Sequence, residues 1–415
     1  MQRTHGTPQR GAALILSIYV VTVLSILSLS MTTRGLNEHL MTRHALWDEG
    51  AFHLADAGLD ASMSAIRAGN LSGPLASTGM GAGDYWTDAF VPLGGNLYQI
   101  TAHGRTTEPH ERQLEAVVEA TPLSVFQYPL FGDQLLDLRG NVETDSYDST
   151  LGAYGACLSD CTGANPVYNI GSNGDLGTNA TYSNATTSGP ATSGLALSGS
   201  SVIINGQMNF GVGTTDPTYE YEQHSITGSA NPLITASPDA VAMSDPLLLP
   251  PVTVPAYLTC TDLPINSFET VTLPPGEYCY HDVTMGAPDA LGAYGPAVLE
   301  VTGEVTIYIT GNFQASAQSF IGNTATPSYT VIQLASPQGA MVTSASLAGT
   351  TQLYGAIYAP DSHVTLAGTV DIYGSITAYS IRQTGDVQVH YDEGLQDRDD
   401  IIGGYLTHVE AWREL

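Results

Sequence analysis

The longest run of apolar positions in the sequence lies near its N-terminus. Residues 11–33 carry no charged side chain, and such a run is long enough to cross the roughly 30 Å hydrocarbon core of a bilayer as one helix. A removed secretory signal has a shorter apolar stretch of about 7–15 residues. Because Arg3 and Arg10 precede the run and a long acidic chain follows it, the sequence predicts a cytoplasmic N-terminus and an exported bulk.

The helical pattern continues past the apolar run. Between residues 34 and 68 there is no proline, and apolar side chains recur at spacings of three and four, which is typical of an amphipathic helix. Gly69-Asn70 and then Gly73-Pro74 predict the end of this helix. We therefore expect one helix over 12–69, embedded in a membrane in its first half and packed on a globular part in its second. The alternative is a signal anchor followed by an unrelated helix.

Alternating patterns follow the helix. Side chains of residues 96–103 alternate between two faces, as they do in a strand. Residues 113–119 form a second β-rich run after a turn at Glu108-Pro109. This arrangement is typical of two antiparallel strands. The sequence therefore predicts a linker and a small β-hairpin over 70–121 that covers the helix.

A loose repeat begins after residue 121. The stretch Leu353–Ala359 recurs as Ile372–Ala378, and glycines recur at matching places. A fixed period of about 20 residues is typical of a solenoid. The sequence predicts a β-helix-like solenoid over 122–400, with a proline-rich interruption near 245–255 that is an extended crossing or a linker.

The last segment, 401–415, has Leu406, Val409 and Trp412 at helical spacing. It is predicted to be a short helix that caps the open β-edges of the solenoid. A docking tail for a partner is the alternative.

The net charge of the chain argues against one class of function. The chain has 11 basic residues, all arginine, and 40 acidic ones, for a formal net charge of -29. Nucleic-acid binding is therefore not expected, because it needs a basic face. We interpret the acidity as a solvated surface; calcium binding or an acid- or salt-adapted habitat would also explain it.

The four cysteines, Cys157, Cys161, Cys260 and Cys279, all follow the apolar run. An even number favours disulfides in an oxidising compartment. Proximity favours Cys157–Cys161 and Cys260–Cys279 among three pairings. A zinc site is the competing interpretation, but the paired spacing of a zinc ribbon is missing.

The run RGAALILSIYVVTVLSILSLSMTTRGLNEHLMTRHALWDEGAFHLADAGLDASMSAI resembles the N-terminal domain of PilX-like minor pilins and is similar to the tip pseudopilin of type II secretion. The resemblance implies that prepilin peptidase cuts between Gly11 and Ala12, after a leader of residues 1–11, and methylates the new N-terminus. It also matches the alanine-rich AFxxAEAGL signature of that family, with aspartate where glutamate is usual. The signature residues are Ala51, Phe52, Ala55, Asp56, Ala57, Gly58 and Leu59.

One position departs from the major pilins, which carry a glutamate where this chain has Leu16. In a pilus that carboxylate neutralises the N-terminal amine of a neighbour. Its loss predicts an initiating or tip position. Small positions in the helix are predicted to let neighbouring helices approach. The predicted assembly residues are Ala13, Leu14, Leu16, Ser17, Thr22, Ser25 and Ser28.

The second part of the chain resembles an uncharacterised domain with bactofilin-like repeats. The resemblance rests on DSYDS, LPPGEY, VTIYITGNF, LYGAIYAP and VHYDE, which begin at residues 145, 273, 305, 353 and 389. It implies a fold and no catalytic residue. The predicted fold class is α+β: a long N-terminal pilin-type α-helix, a small β-hairpin region and a large β-helix-like solenoid.

Motifs of catalysis are missing from the sequence: it has no HExxH, GxSxG, phosphate-loop or dinucleotide signature. We expect no enzyme activity, no cofactor and no metal. Acidic residues such as Asp145 and Asp392 are interpreted as turn and cap residues, and His281, His363 and His390 as isolated.

The sequence therefore predicts a minor pilin-like component of a type IV pilus or related secretion filament, which initiates assembly or forms a tip with an adhesive or spacer head. Expected partners are other pilin-like subunits, the inner-membrane assembly platform, prepilin peptidase, the membrane, and a host or surface glycan or protein ligand. The expected location is a single pass of the inner membrane with a periplasmic bulk, then the pilus tip or cell surface. Alternatives are an anchored envelope protein with a self-assembling or glycan-binding head, and a tethered polysaccharide-active enzyme.

Overall fold

A computed structural model describes residues 10–108, 110–162, 165–181, 194–197, 201–214, 233–234, 240–336, 343–398 and 400–415. Most of the predicted leader lies outside these residues. Contacts divide the chain into two compact units. The first unit takes the chain up to Thr121 together with Leu406–Leu415, and the second unit is Pro122–Tyr405.

Helix α1 (Arg10–Arg67) is the longest element of the first unit. Its side chains are exposed from Leu14 to Leu46, whereas Ala51, Ala55 and Ile66 are fully buried. After the helix, Gly69 adopts a φ of 85° and its N–H donates to the carbonyl oxygen of Ile66 at 2.8 Å. A left-handed glycine is a common way to end a helix. The prediction of one long helix that ends at this glycine is confirmed.

Beside α1, the described residues of the first unit form a six-stranded antiparallel sheet. Its strands are β1 (Thr78–Met80), β2 (Gly83–Thr87), β3 (Val91–Gly94), β4 (Leu97–Thr106), β5 (Glu111–Ser124) and β28 (Ile402–Glu414). They pair in the order β1-β2-β4-β5-β28, with β3 paired to β4. The predicted hairpin is the centre of this sheet, where Leu97 lies opposite Glu119. The prediction that this region is only a small hairpin is wrong, because the flanking segments add four strands.

The predicted C-terminal capping helix is also wrong, because that segment is strand β28. It lies along β5, where the Leu415 N–H donates to the Gln113 carbonyl oxygen at 3.1 Å and Arg413 pairs with Glu115 at 2.7 Å. The segment contains five residues of high strand propensity, Ile402, Tyr405, Thr407, Val409 and Trp412. Its backbone pairs with the edge of β5, whose N–H and C=O groups a helix at this place would leave unpaired.

In the second unit, 20 of the described strands join in one parallel sheet. Long bent strands pair with several neighbours, and leucine, isoleucine and valine side chains fill a common interior. The strands are β6 (Leu130–Leu138), β7 (Asn141–Tyr147), β10 (Leu176–Gly177), β11 (Gly194–Leu197), β12 (Ser201–Ile204), β13 (Met208–Phe210), β14 (Leu233–Ile234), β15 (Ala240–Ala242), β16 (Thr261–Asn266), β17 (Thr270–Leu273), β18 (Gly276–Ala287), β19 (Pro296–Val301), β20 (Val305–Ile309), β21 (Asn312–Ala315), β22 (Gln318–Gly322), β23 (Thr330–Leu334), β24 (Ser344–Leu347), β25 (Thr350–Leu366), β26 (Thr369–Gln383) and β27 (Asp386–Asp392). The separate strands β8 (Cys157–Ser159) and β9 (Val167–Tyr168) form an antiparallel pair.

The predicted β-helix-like solenoid is therefore wrong, because these strands form one closed, barrel-like parallel sheet in which β6 and β7 come after β27. The first strands of the unit, β6 and β7, pair with its last two, β26 and β27. A sequence period reports neighbours along the chain, whereas these pairs join the beginning of the unit to its end.

The short repeat itself is confirmed between β25 and β26. Leu353 lies opposite Ile372, and Ala359 lies opposite Ala378. At the corner before β26, Gly368 has a φ of 85°, and a Cβ atom there would meet the backbone of Gly349. Glycine is needed at this position because both the φ and the close approach exclude a side chain.

The proline-rich stretch at 245–255 is an extended crossing within the second unit. It joins β15, which pairs with β13, to β16, which pairs with β18. The Leu248 N–H donates to the Gly403 carbonyl oxygen at 2.8 Å, and the Tyr358 hydroxyl donates to the Pro250 carbonyl oxygen at 2.5 Å. Prolines suit such a crossing because they favour an extended backbone of about 3.1 Å per residue.

Two disulfides join Cys157 to Cys161 and Cys260 to Cys279. This is the pairing that proximity favoured. All four cysteines are used, so they are not available as zinc ligands.

Candidate functional site

The exposed half of α1 is the first candidate site. The helix from Leu14 onward is long and apolar enough to cross a membrane. Leu14, Leu16 and Leu24 each expose more than half of their side chain, and the apolar residues around them face outward on every side of the helix. Such a surface needs lipid or other helices to cover it.

Several hydroxyl groups in this half donate hydrogen bonds to carbonyl oxygens of the helix itself. Ser17 donates to the Leu14 carbonyl oxygen at 2.8 Å, Thr22 to that of Ile18 at 2.7 Å, and Ser25 to that of Val21 at 2.7 Å. These side chains can therefore lie in an apolar medium without water. Gly11 and Ala12 lie in the first turn of α1, while the side chain of Ala13 lies outside the description.

The alanine-rich signature builds the junction between α1 and the sheet. Ala51 and Ala55 are fully buried, and a Cβ atom at Gly104 of β4 would collide with their backbone. One turn later, a Cβ at Gly58 would lie 3.2 Å from the Cβ of Ala102. Small residues on both sides let the helix and the strand touch backbone to backbone. The signature thus fixes α1 rigidly to its sheet.

Three signature residues, Phe52, Asp56 and Leu59, line an apolar groove between α1 and the edge strand β28. The groove has a volume of about 230 Å³. Trp412 lines one side of the groove and is 62% exposed. Asp56 and Asp60 are exposed at the rim of the groove. Within the described part of the chain, neither carboxylate has an ion-pair partner. The groove is lined by Phe52, Asp56, Leu59, Asp60, Met63, Leu114, Ala116, Val118, Val409 and Trp412.

A polar cluster ties α1 to β5 where the helix passes from exposed to buried. His110 Nδ1 lies 3.1 Å from Asp48 Oδ1, and His44 Nδ1 lies 3.1 Å from His110 Nε2. The hydrogen bond from His110 lowers the pKa of Asp48, and Arg112, at 3.0 Å, lowers it further. Because His110 donates from Nδ1, its neutral form accepts the N–H of His44 at Nε2. Sequence reasoning missed this cluster, since the two histidines lie far apart along the chain.

The second candidate site is a ladder of side chains at matching positions of four neighbouring strands in the second unit: Tyr354, Tyr373, His390 and Asp145. The two tyrosine rings stack with centroids 4.3 Å apart. His390 Nδ1 lies 2.7 Å from Asp145 Oδ1, and each of these two side chains is only 5% exposed.

Tyr154 completes this ladder. Its hydroxyl donates to Asp145 Oδ2 at 2.6 Å, and its ring lies 3.8 Å from the imidazole of His390. Burial raises the pKa of Tyr154, and the hydrogen bond to Asp145 raises it further, so the phenol remains a donor. The interpretation of His390 as isolated is wrong, because the parallel register brings Asp145 beside it.

Asp392 lies at the end of β27. Its Oδ1 accepts the backbone N–H groups of Ser149 at 3.1 Å and Gly394 at 3.2 Å, so it caps the 3₁₀ turn Glu393–Leu395, as a cap residue should. Burial raises its pKa. Across the described residues, no group of three or more histidine, cysteine or acidic side chains is arranged to hold a metal ion.

Comparisons with known proteins found one family model and a similar solved structure. A family model described as a domain of unknown function, DUF7305, matches residues 282–398, which lie in the second unit. No curated protein matches the sequence. Among solved structures, the competence-associated pilin ComZ from Thermus thermophilus is similar at 12% identity, over 89% of this chain and 97% of that chain, with a TM-score of 0.23. A TM-score this low carries no inference about shared fold or function. The resemblances to PilX-like pilins and to bactofilin-like repeats stay predictions.

Proposed function

We propose that this chain is a membrane-anchored, pilin-like subunit that assembles through α1 with other pilin-like subunits. The observation that carries the proposal is the division of α1. Its first half presents an apolar surface on all sides from Leu14 onward, and its second half is fixed to a sheet by Ala51 and Ala55. Lipid would cover the apolar half before assembly, and neighbouring helices would cover it afterwards.

The finer parts of the proposal concern processing and position. Prepilin peptidase would cut between Gly11 and Ala12, and Leu16 would suit an initiating or tip position. The chain would first span the inner membrane once, with its bulk in the periplasm. The second unit would then be carried outward as an adhesive or spacer head.

We propose a structural role for the second unit rather than a catalytic one. Among the described residues of this unit, the arrangement that most resembles a catalytic pair is formed by His390 and Asp145. Both side chains are buried, and Tyr154 lies against the imidazole. A general base must reach the proton that it abstracts, and the two side chains of this pair are each only 5% exposed.

A matched pair of substitutions on α1 tests the anchoring. Leu24→Arg places a charge in the predicted span, where it costs about 2.5–3.5 kcal/mol at the bilayer centre. Leu40→Arg changes a similarly exposed leucine of the same helix beyond the span. We expect the Leu24→Arg chain to be depleted from both the membrane fraction and the sheared surface fraction. The Leu40→Arg chain should remain in the membrane fraction. Equal membrane retention of both variants would contradict the proposal.

A further inference from the structure

The groove beside α1 carries a regular pattern of side chains. Phe52, Asp56, Asp60 and Met63 follow one face of the helix at steps of three and four residues, and all of them line the groove. Trp412 of β28 forms part of the opposite wall and is largely exposed. The groove thus offers two carboxylates between two apolar contacts.

An exposed segment of the same helix carries the complementary pattern. Gly35, His39, Arg43 and Leu46 have the same spacing and precede Phe52, Asp56, Asp60 and Met63, respectively, by one constant displacement. In that register the two basic side chains meet the two carboxylates, and Leu46 meets Met63. A Cβ atom at Gly35 would meet nothing within 4 Å, so there is room beside Gly35 for the ring of Phe52.

The match depends on a pair of basic residues that occurs once in the described part of α1. His39 and Arg43 are the two basic side chains of that helix that lie four residues apart, as Asp56 and Asp60 do. Within the described residues Arg43 forms no ion pair, and its guanidinium lies 4.7 Å from the centre of the Trp47 ring. By contrast, several other arginines of the described chain pair with a carboxylate: Arg34, Arg105, Arg112, Arg139, Arg398 and Arg413.

We propose that the groove binds the Gly35–Leu46 segment of α1 from a second copy of this chain. The two helices run parallel, because both copies enter the membrane with the same orientation. The constant displacement of about 17 residues corresponds to about 26 Å at 1.5 Å per residue. Arg43 of one copy pairs with Asp60 of the other, His39 pairs with Asp56, and Leu46 packs on Met63 and Trp412.

This inference rests on the proposed function. A displacement of about 26 Å lifts most of one membrane span out of a bilayer core of about 30 Å. The pairing therefore belongs to the assembled state and not to two copies resting in the same membrane. The contact is heterologous, with different surfaces on the two copies. It requires at least two adjacent copies, so an initiating position would be held by a pair of chains.

Cysteine cross-linking in the full-length chain tests the register. One tagged copy carries Leu46→Cys and a second, differently tagged copy carries Met63→Cys, expressed together in a host that assembles filaments. The control replaces Leu46→Cys by Leu36→Cys, which lies at another exposed position of the same helix and does not face Met63 in the proposed register. We expect a heterodimer carrying both tags from the first combination, in at least fivefold excess over the control and over dimers of either single variant.

Charge reversal provides a second readout that does not depend on the added cysteines. Arg43→Asp and Asp60→Arg should each lower the yield of the Leu46–Met63 cross-link about two- to fivefold, which corresponds to roughly 0.4–1 kcal/mol, within the range of an exposed ion pair. Both reversals together in every copy should restore it. If the cross-link yield is the same in all three variants as in the unreversed chain, the pairing is overturned.

The same samples separate failure of the register from failure of the proposed function. If the chain is processed and recovered in sheared filaments but the Leu36 control cross-links as well as Leu46, or neither cross-links, the register is wrong and the pilin-like function stands. If the chain stays unprocessed in the membrane and no cross-link forms, both are overturned.

Discussion

Gly104 of β4 lies so close to Ala51 of α1 that a Cβ atom on the glycine would collide with the alanine's carbonyl oxygen. This contact joins the two features that define the first unit, an apolar rod and the sheet that holds its far end. We expect Gly104→Ala to destabilise the first unit by about 1–3 kcal/mol, because neither backbone can withdraw. Thermal unfolding of the detergent-solubilised chain measures the effect.

The matched control for this substitution is Gly79→Ala in β1, where a Cβ atom would meet nothing within 4 Å. It should change the free energy of unfolding by less than about 0.5 kcal/mol. Equal effects of the two substitutions would show that the close contact between Gly104 and α1 does not matter for stability.

The polar cluster at the junction predicts a dependence on pH. His110 and Arg112 lower the pKa of Asp48 in the folded chain. A carboxyl whose pKa is lowered by folding stabilises the folded state above its unfolded pKa of about 3.9 and loses that contribution as the pH falls through the folded value. We therefore expect Asp48→Asn to flatten the loss of stability below about pH 4.

Denaturant unfolding of wild type and Asp48→Asn at several pH values across the acid range checks this expectation. His110→Phe removes the largest cause of the shift and should flatten the curve in part. If the free energies of unfolding of wild type and Asp48→Asn fall in parallel over the whole acid range, Asp48 does not contribute in this way.

In the second unit, the pair of Asp145 and His390 should be important for folding. Asp145→Ala leaves the buried imidazole N–H of His390 without an acceptor, which costs about 1–3 kcal/mol, and it also removes the acceptor of the half-buried Tyr154 hydroxyl. Asp145→Asn keeps an acceptor oxygen and should cost less. Chemical denaturation followed by tyrosine fluorescence compares the two variants. A negligible loss in Asp145→Ala would show that the pair does not stabilise the unit.

The two disulfides should differ in their contribution. Cys260–Cys279 spans 19 residues and Cys157–Cys161 spans 4. On a chain-entropy account, the longer loop contributes about 3 kcal/mol and the shorter about 2 kcal/mol. Paired cysteine-to-serine variants measured by thermal unfolding should therefore rank in that order. The reverse order would show that loop length does not decide their effect.

The features that the sequence predicts correctly depend on neighbours along the chain. The end of α1 follows from Gly69, the β4–β5 pair from two alternating runs joined by a turn, and the pairing of Leu353 with Ile372 from a short repeat. Each of these signals is local, so hydrophobic period and turn chemistry are enough to find it.

The features that sequence reasoning missed join distant parts of the chain. The spacing of Leu406, Val409 and Trp412 fits a helix, but β5, whose edge makes the segment a strand, lies in the first third of the sequence. His390 and Asp145 meet because β27 pairs with β7 in a register that no local pattern encodes. The closed order of the parallel sheet has the same cause, since strand pairs between its first and last segments leave no period in the sequence.

The measurement that tests the central claim most directly is the intact mass of the chain recovered from filaments sheared off the cell surface, compared with the mass of the membrane-bound pool. The claim is that α1 is released from its leader and then packs among other subunits. It predicts a surface species that begins at Ala12 and a Gly11→Val variant that keeps its leader and stays in the membrane. A chain that never leaves the membrane fraction, or one that reaches the surface with its leader intact, would contradict it.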